Sequence, residues 1–189
     1  KAIAFFNALQ MKTLFMDAEE HDRHIAYVSH LSHISSFVLG QTVLEIEKEL
    51  FPDPWNLAQF KEELAEVPKT RTYFVVEIGM TQKIVGFAGL YCPGGGADAD
   101  IQTISVSAQY QGNGIGQGLL DLLINAAIER NAPAIFLEVR AENEQARALY
   151  AKNRFTQISV RKNYYQNPQP HNKRSDEIIM QKILGATHE

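Results

Sequence analysis

Glycine occupies positions 112, 114, 116 and 118 in YQGNGIGQGLL, between an apolar run ending in ISVSA and a stretch with helical periodicity. Such a stretch leaves backbone with no side chains in the way, and the first amides of the helix that follows lack intrahelical acceptors. Free N–H groups and the positive end of the helix dipole attract an anion, phosphate above all. Two phosphate motifs do not fit. A G-x-G-x-x-G pattern counted from Gly112 puts Gln117 where the third glycine belongs, and counted from Gly114 it puts Leu119 there. A P-loop ends in Gly-Lys-Ser/Thr, and no lysine stands between Thr103 and Arg130. What remains is backbone binding at a strand–loop–helix junction, or a glycine-rich turn that only lets the helix pack on its sheet.

Downstream, Glu138 lies inside the apolar run AIFLEVR. A carboxylate in such surroundings tends toward a raised pKa, which suits a general base near neutral pH. Its plainer reading is a strand-end glutamate paired with Arg140. Tyr150 falls in NEQARALYAKN, where its phenol could donate a proton or its ring could simply fill the core. His21, His24, His30 and His33 make i, i+3 pairs that a helix would bring side by side. With no third well-spaced ligand, solvated or hydrogen-bonded histidines fit better than a metal site.

The elements that would position these residues read as follows. In EEHDRHIAYVSHLSHISSFVLGQTVLEIEKEL, Ile25, Val28, Leu31, Ile34 and Phe37 or Val38 recur at helical spacing, which predicts helix over most of its length. FPDPW is a turn, and NLAQFKEELAEV a helix with Asn56 as N-cap. TYFVVEIG and KIVGFAGLYC read as a β-hairpin, PGGGADAD as a loop and IQTISVSA as a third strand. GLLDLLINAAIERN is an amphipathic helix, AIFLEVR a buried strand, NEQARALYAKN a helix, and FTQISVRKNYY with DEIIMQKIL a closing strand pair. The expected class is α/β, a mixed central sheet flanked by helices, with an extra helical segment at the N-terminus.

The 189 residues, 45% hydrophobic and 21% charged, suit one globular domain with a small appendage. A formal net charge of −4, with no basic run or stripe, argues against direct nucleic-acid binding and leaves room for a peptide or small-molecule partner. Cys92 is the single cysteine and suits a reducing compartment. No apolar run is long enough for a membrane span, and the opening KAIAFFNALQMK is too short in its apolar run for a signal peptide. A soluble cytoplasmic protein is expected, its start trimmed or a fragment.

The order of motifs resembles a known family. Q-x-x-G-x-G between strand and helix looks like the acetyl-CoA pyrophosphate loop of the GNAT acetyltransferases. ISV before it, FLEVRAENEQARALYAKNRF after it, RKNYY near the end and LEIEKELFPDPWNLAQFKEEL at the start resemble the ribosomal-protein-alanine N-acetyltransferases. The likeness covers roughly Val43 to Leu184, and residues 43–189 form the expected domain. It implies the GNAT fold, acetyl-CoA as cosubstrate without a metal, and transfer of acetyl to a protein N-terminal amine, that of a small-subunit ribosomal protein. Acetylation of a lysine side chain or small amine, or a binding module with impaired catalysis, are the alternatives. By resemblance Glu138 corresponds to the general base and Tyr150 to the general acid. The backbone of Ile104, Ser105 and Val106 would pair with the pantetheine arm, and Gln111, Gly112, Asn113, Gly114, Ile115, Gly116 and Gln117 would hold the pyrophosphate. Asn143 matches a coenzyme-contacting position, and it also suits the N-cap of EQARALY; both can hold. The family usually carries Arg-Arg where this chain has Gly112 and Asn113, so phosphate binding leans on backbone amides.

MDAEEHDRHIAYVSHLSHISSFVLG has its own resemblance, to the helical domain of prephenate dehydrogenases. It concerns residues 1–48, with no nucleotide-binding domain before them. The segment is expected to be structural, without dehydrogenase chemistry, and its apolar stripe to be covered by the sheet or by a second chain as a homodimer. The chain reads as a fusion joined at VLEIEK.

Overall fold

In the computed structural model, residues 13–14, 27–30, 36–50, 54–78, 83–166 and 174–185 are described, those before Val43 by their backbone. The elements are β1 (Thr13–Leu14), β2 (Tyr27–His30), α1 (Ser36–Leu50), α2 (Leu57–Ala65), β3 (Arg71–Ile78), β4 (Lys83–Tyr91), β5 (Ala99–Val106), α3 (Ile115–Glu129), β6 (Ala134–Arg140), α4 (Glu144–Lys152), β7 (Thr156–Tyr165) and β8 (Ser175–Ile183). The strands form one mixed sheet in the order β1-β2-β3-β4-β5-β6-β8-β7. Of the described pairs, β5–β6 is parallel and the rest antiparallel. A parallel neighbour needs a crossover, and α3 supplies it.

Alternation along the strands serves two cores. Phe74, Val76, Val85 and Ala88 pack with Leu119, Leu120 and Leu123 of α3 on one face. Tyr73, Val75, Ile84 and Phe87 pack with Val43 and Ile46 of α1 and Phe60 of α2 on the other. Each fully buried large apolar side chain contributes on the order of 1.5–3 kcal/mol, so helices on both faces are what holds this sheet.

The α2 start was legible. Asn56 is the N-cap: its Oδ1 accepts from the amides of Ala58 at 2.9 Å and Gln59 at 3.1 Å, and the Gln59 side chain accepts the Asn56 amide at 2.8 Å. Asn56→Ala removes the two bonds to Oδ1 and keeps the backbone amide that donates to Gln59, and chemical denaturation should show a loss of about 1 kcal/mol.

The N-terminal helical expectation is corrected. Tyr27–His30 is a strand, Tyr27 opposite Glu77 and His30 opposite Phe74, and the described helix α1 runs over Ser36–Leu50. The edge of β3 is a row of backbone groups needing partners, and pairing with Tyr-Val outweighs the helical periodicity of the apolar residues. Thr13–Leu14, within KTLFM, adds a short strand beyond β2. Val28 and His30 therefore do not lie on the helical face predicted for them. His21, His24, Ile25, Leu31, His33 and Ile34 lie outside the described residues.

Candidate active site

Strands β5 and β6 run together only briefly. Ala99, Asp100 and Ile101 pair with Ile135, Phe136 and Leu137, and no described pairing continues beyond them. The register between β4 and β5 shifts at the same level, Gly89 standing opposite Thr103 and Leu90 opposite Ile101, which leaves Gln102 as a bulge. Bulges bend a strand away from its neighbour. From Ile104 to Val106, β5 is held by β4 alone, through Ala88, Phe87 and Gly86. The edge facing β6 is open to an extended ligand that would add as a strand.

At the mouth of this opening a 3-10 turn, Ala108–Tyr110, leads into the glycine loop. Gly112 has φ 78° and Gly114 φ 81°, the left-handed region that side chains disfavour. Gly114 is the N-cap of α3, with no side chain to satisfy the helix start. The first amide with a helical acceptor is Gly118, donating to Gly114 O at 3.0 Å, so the amides of Ile115, Gly116 and Gln117 point out of the helix end.

Side chains in the loop brace it. Gln111 donates to Val106 O at 2.9 Å, and Asn113 to Tyr110 O at 3.1 Å and Gln111 O at 3.2 Å. The Gln117 and Asn153 amides bond reciprocally at 2.8 and 2.9 Å, tying α3 to the end of α4, while Ile115 packs against the α3-side core. Asn143 caps α4, its Oδ1 accepting the Ala146 amide at 3.1 Å. The amide side chains named for the cofactor are thus bonded within the protein, and what the loop offers a phosphate is backbone N–H. That is the fit a pyrophosphate requires.

Leu137 and Val139 are buried in the α3-side core, so Glu138 between them faces the side of the sheet that carries α1 and α2. It is half exposed and paired with Arg161 of β7 at 2.9 Å, not with Arg140, whose guanidinium lies over the Tyr165 ring at 4.1 Å. Burial pushes the Glu138 carboxyl up, the Glu177 charge pushes it further, and Arg161 pulls it back. Tyr150 is buried, its ring 5.9 Å from that of Phe155. Burial pushes its phenol up to about 12, which keeps it protonated at neutral pH. Tyr150 is thus a core aromatic.

Sequence reasoning missed three charged residues here. Glu47 of α1 is buried, and burial raises its pKa; it accepts the Trp55 amide at 3.3 Å and the Thr103 and Ser105 hydroxyls at 3.4 Å each. It thereby ties the turn before α2 to the open strand β5. Arg161 and Glu177 meet through strand pairing, and the one signal for Glu177 was a charge inside the apolar run SDEIIM.

The Acetyltransferase (GNAT) family model matches residues 40–155. The chain belongs to the GNAT acetyltransferase family. It is an acetyl-CoA-dependent N-acetyltransferase. The prephenate dehydrogenase dimerization domain model matches residues 17–59. The Haemophilus influenzae [ribosomal protein bS18]-alanine N-acetyltransferase is 32% identical over 140 residues, 74% of this chain and 89% of that protein. The Mycobacterium tuberculosis N-alpha-acetyltransferase RimI is 37% identical over 130 residues, 67% of this chain and 78% of that one. The crystal structure of the ribosomal-protein-S18-alanine N-acetyltransferase from Escherichia coli superposes with a TM-score of 0.71 at 26% identity, covering 86% of this chain and 97% of that one. Among the described residues no helix is long and apolar enough to cross a membrane, and no group of acidic, histidine or cysteine side chains could hold a metal.

Proposed function

We propose that this GNAT acetyltransferase acetylates the α-amine of a protein N-terminus, and that its acceptor is the N-terminal alanine of a small-subunit ribosomal protein in the cytoplasm. The observation that carries this reading is the half-exposed Glu138 on the face opposite the α3-side core, beside the opening between β5 and β6. The names of the relatives above support the acceptor.

Acetyl-CoA supplies an activated thioester carbonyl. Backbone of Ile104, Ser105 and Val106 lines its arm, and the amides at the start of α3 hold its pyrophosphate. An N-terminal α-ammonium has a pKa of about 8, so a carboxylate with a raised pKa suffices to take its proton, directly or through one water. Glu138 takes the first proton from the ammonium and passes it to solvent; as the nitrogen–carbon bond forms and the carbon–sulfur bond breaks, the nitrogen gives its second proton to Glu138 and Tyr150 gives one to the leaving sulfur. Solvent then restores both side chains, so that ammonium and thioester become amide, thiol and one released proton. Tyr150→Phe keeps the buried ring, so stability should change little while kcat falls about tenfold or more in a steady-state assay.

A product assay with acetyl-CoA and short peptides, their N-termini free or blocked, tests the acceptor. Free peptides beginning with alanine should be acetylated and blocked ones not. Acetylation confined to lysine side chains or to small amines would overturn the proposal.

A further inference from the structure

Beside the candidate base stand a second carboxylate and one guanidinium, where a proton acceptor alone would need neither. Arg161 Nη1 lies 2.9 Å from Glu138 Oε1 and 2.7 Å from Glu177 Oε2. The register explains the meeting. On β8, Glu177 stands opposite Arg140 of β6 and Arg161 of β7, while Glu138 stands opposite Ile179, two residues further along the same face. The two ends of the bridge differ. The Glu138 and Arg161 side chains are each 46% exposed, whereas Glu177 is 0% exposed and its Oε1 has no hydrogen-bond partner. A buried carboxylate oxygen without a partner costs stability, so packing alone does not account for Glu177.

The charged and titratable groups around it from the adjoining strands are Glu138 and Arg140 of β6, and Arg161, Tyr164 and Tyr165 of β7. Arg161 and Arg140 also lie over the rings of Tyr164, at 5.4 Å, and Tyr165. Burial, then the Glu177 carboxylate, pushes the Tyr165 phenol up, so it stays neutral. Asp176 turns elsewhere, to Lys162 at 2.7 Å.

We infer that Glu177 is a positioning residue for the candidate base: it grips Arg161 from the buried side and stops the guanidinium from closing into a two-pronged ion pair with Glu138. The inference rests on the assignment of Glu138 proposed above. A guanidinium left alone with one carboxylate takes both its oxygens, and a carboxylate so bound is a poor proton acceptor. Shared between two, it leaves Glu138 one oxygen free for the incoming ammonium. The outer leg is screened by water and exchanges readily, while the buried leg keeps Arg161 in place. The directions agree, since the Glu177 charge raises the Glu138 pKa and Arg161 lowers it.

The test is the pH profile of kcat/KM with acetyl-CoA and a free peptide beginning with alanine, for Glu177→Gln and Arg161→Gln. Glu177→Gln removes the like charge and hands Arg161 to Glu138, so the acidic limb should move to lower pH and the plateau should drop several-fold. Arg161→Gln should move the limb the other way, to higher pH. Glu177→Asp should restore part of the parent profile. Coenzyme affinity by calorimetry, unchanged throughout, checks the fold; if Glu177→Gln does not fold, Glu177→Asp decides, a limb moved part-way to lower pH supporting the role of Glu177 and an unmoved one overturning it. Glu138→Gln in the same assay separates two failures. Parent-like activity there removes the base itself, whereas an inactive Glu138→Gln with unmoved limbs in the other variants overturns only the role of Glu177.

Discussion

Glu138→Gln should lower kcat by about 10²-fold or more, a barrier increase of about 2.7 kcal/mol, while coenzyme affinity stays nearly unchanged. The substitution keeps the shape and leaves an oxygen for Arg161, which Glu177 continues to hold at 2.7 Å, so local structure should survive. What disappears is the negative charge that accepts the proton. The pH dependence has a definite sign. Because burial raises the Glu138 pKa, the parent enzyme loses activity as pH falls through that raised value, and the glutamine variant should lack this limb. Coenzyme binding is expected to be spared because the elements proposed to meet it, the β5 edge and the start of α3, do not include this side chain. A variant with parent-like turnover across neutral pH would show that the amine loses its proton to solvent unaided.

Much of this site was legible because some positions tolerate few residue types. Positive φ at 112 and 114 calls for glycine, and Glu138 is the one charge among the apolar residues from Ala134 to Val139. The opening between β5 and β6 was not legible, since it depends on a bulge at Gln102 and on where a parallel pairing stops, neither of which leaves a local mark. Nor was the Arg161 bridge, whose partners are 23 and 16 residues away in sequence and meet only through strand register. Gln111, Asn113 and Gln117 were found as positions but not as roles: only hydrogen-bond geometry shows Gln111 and Asn113 bracing the loop and Gln117 tying α3 to Asn153, whereas the N-cap role of Asn143 was legible. Tyr27–His30 misled for the opposite reason. Its neighbourhood has helical periodicity, and the demand of an open sheet edge lies 44 or more residues away in the pairing with Glu77 and Phe74, beyond any local window.

The sharpest consequence of a backbone-lined phosphate site falls on Gly116. Its φ is not positive, and a Cβ built there would meet only Leu149 Cδ2 at 3.6 Å, an ordinary contact. Gly116→Ala should therefore fold and bind acetyl-CoA nearly as the parent does, even gaining some helix propensity. Gly116→Asp fits the same space sterically but sets a carboxylate in the first turn of α3, beside the outward-pointing amides of Ile115, Gly116 and Gln117. A negative charge is welcome at a helix start, so the folded state should not suffer. The same charge occupies the position of the pyrophosphate and repels it, in a loop whose Gly112 and Asn113 offer no cation to compensate. Acetyl-CoA affinity by calorimetry should fall by at least about 10²-fold in Gly116→Asp, with the unfolding temperature held or raised. Gly114→Asp is the weaker experiment, because its φ of 81° adds backbone strain to the charge effect. Undiminished affinity in a folded Gly116→Asp protein would remove the pyrophosphate from this loop, and with it the reason for its glycines.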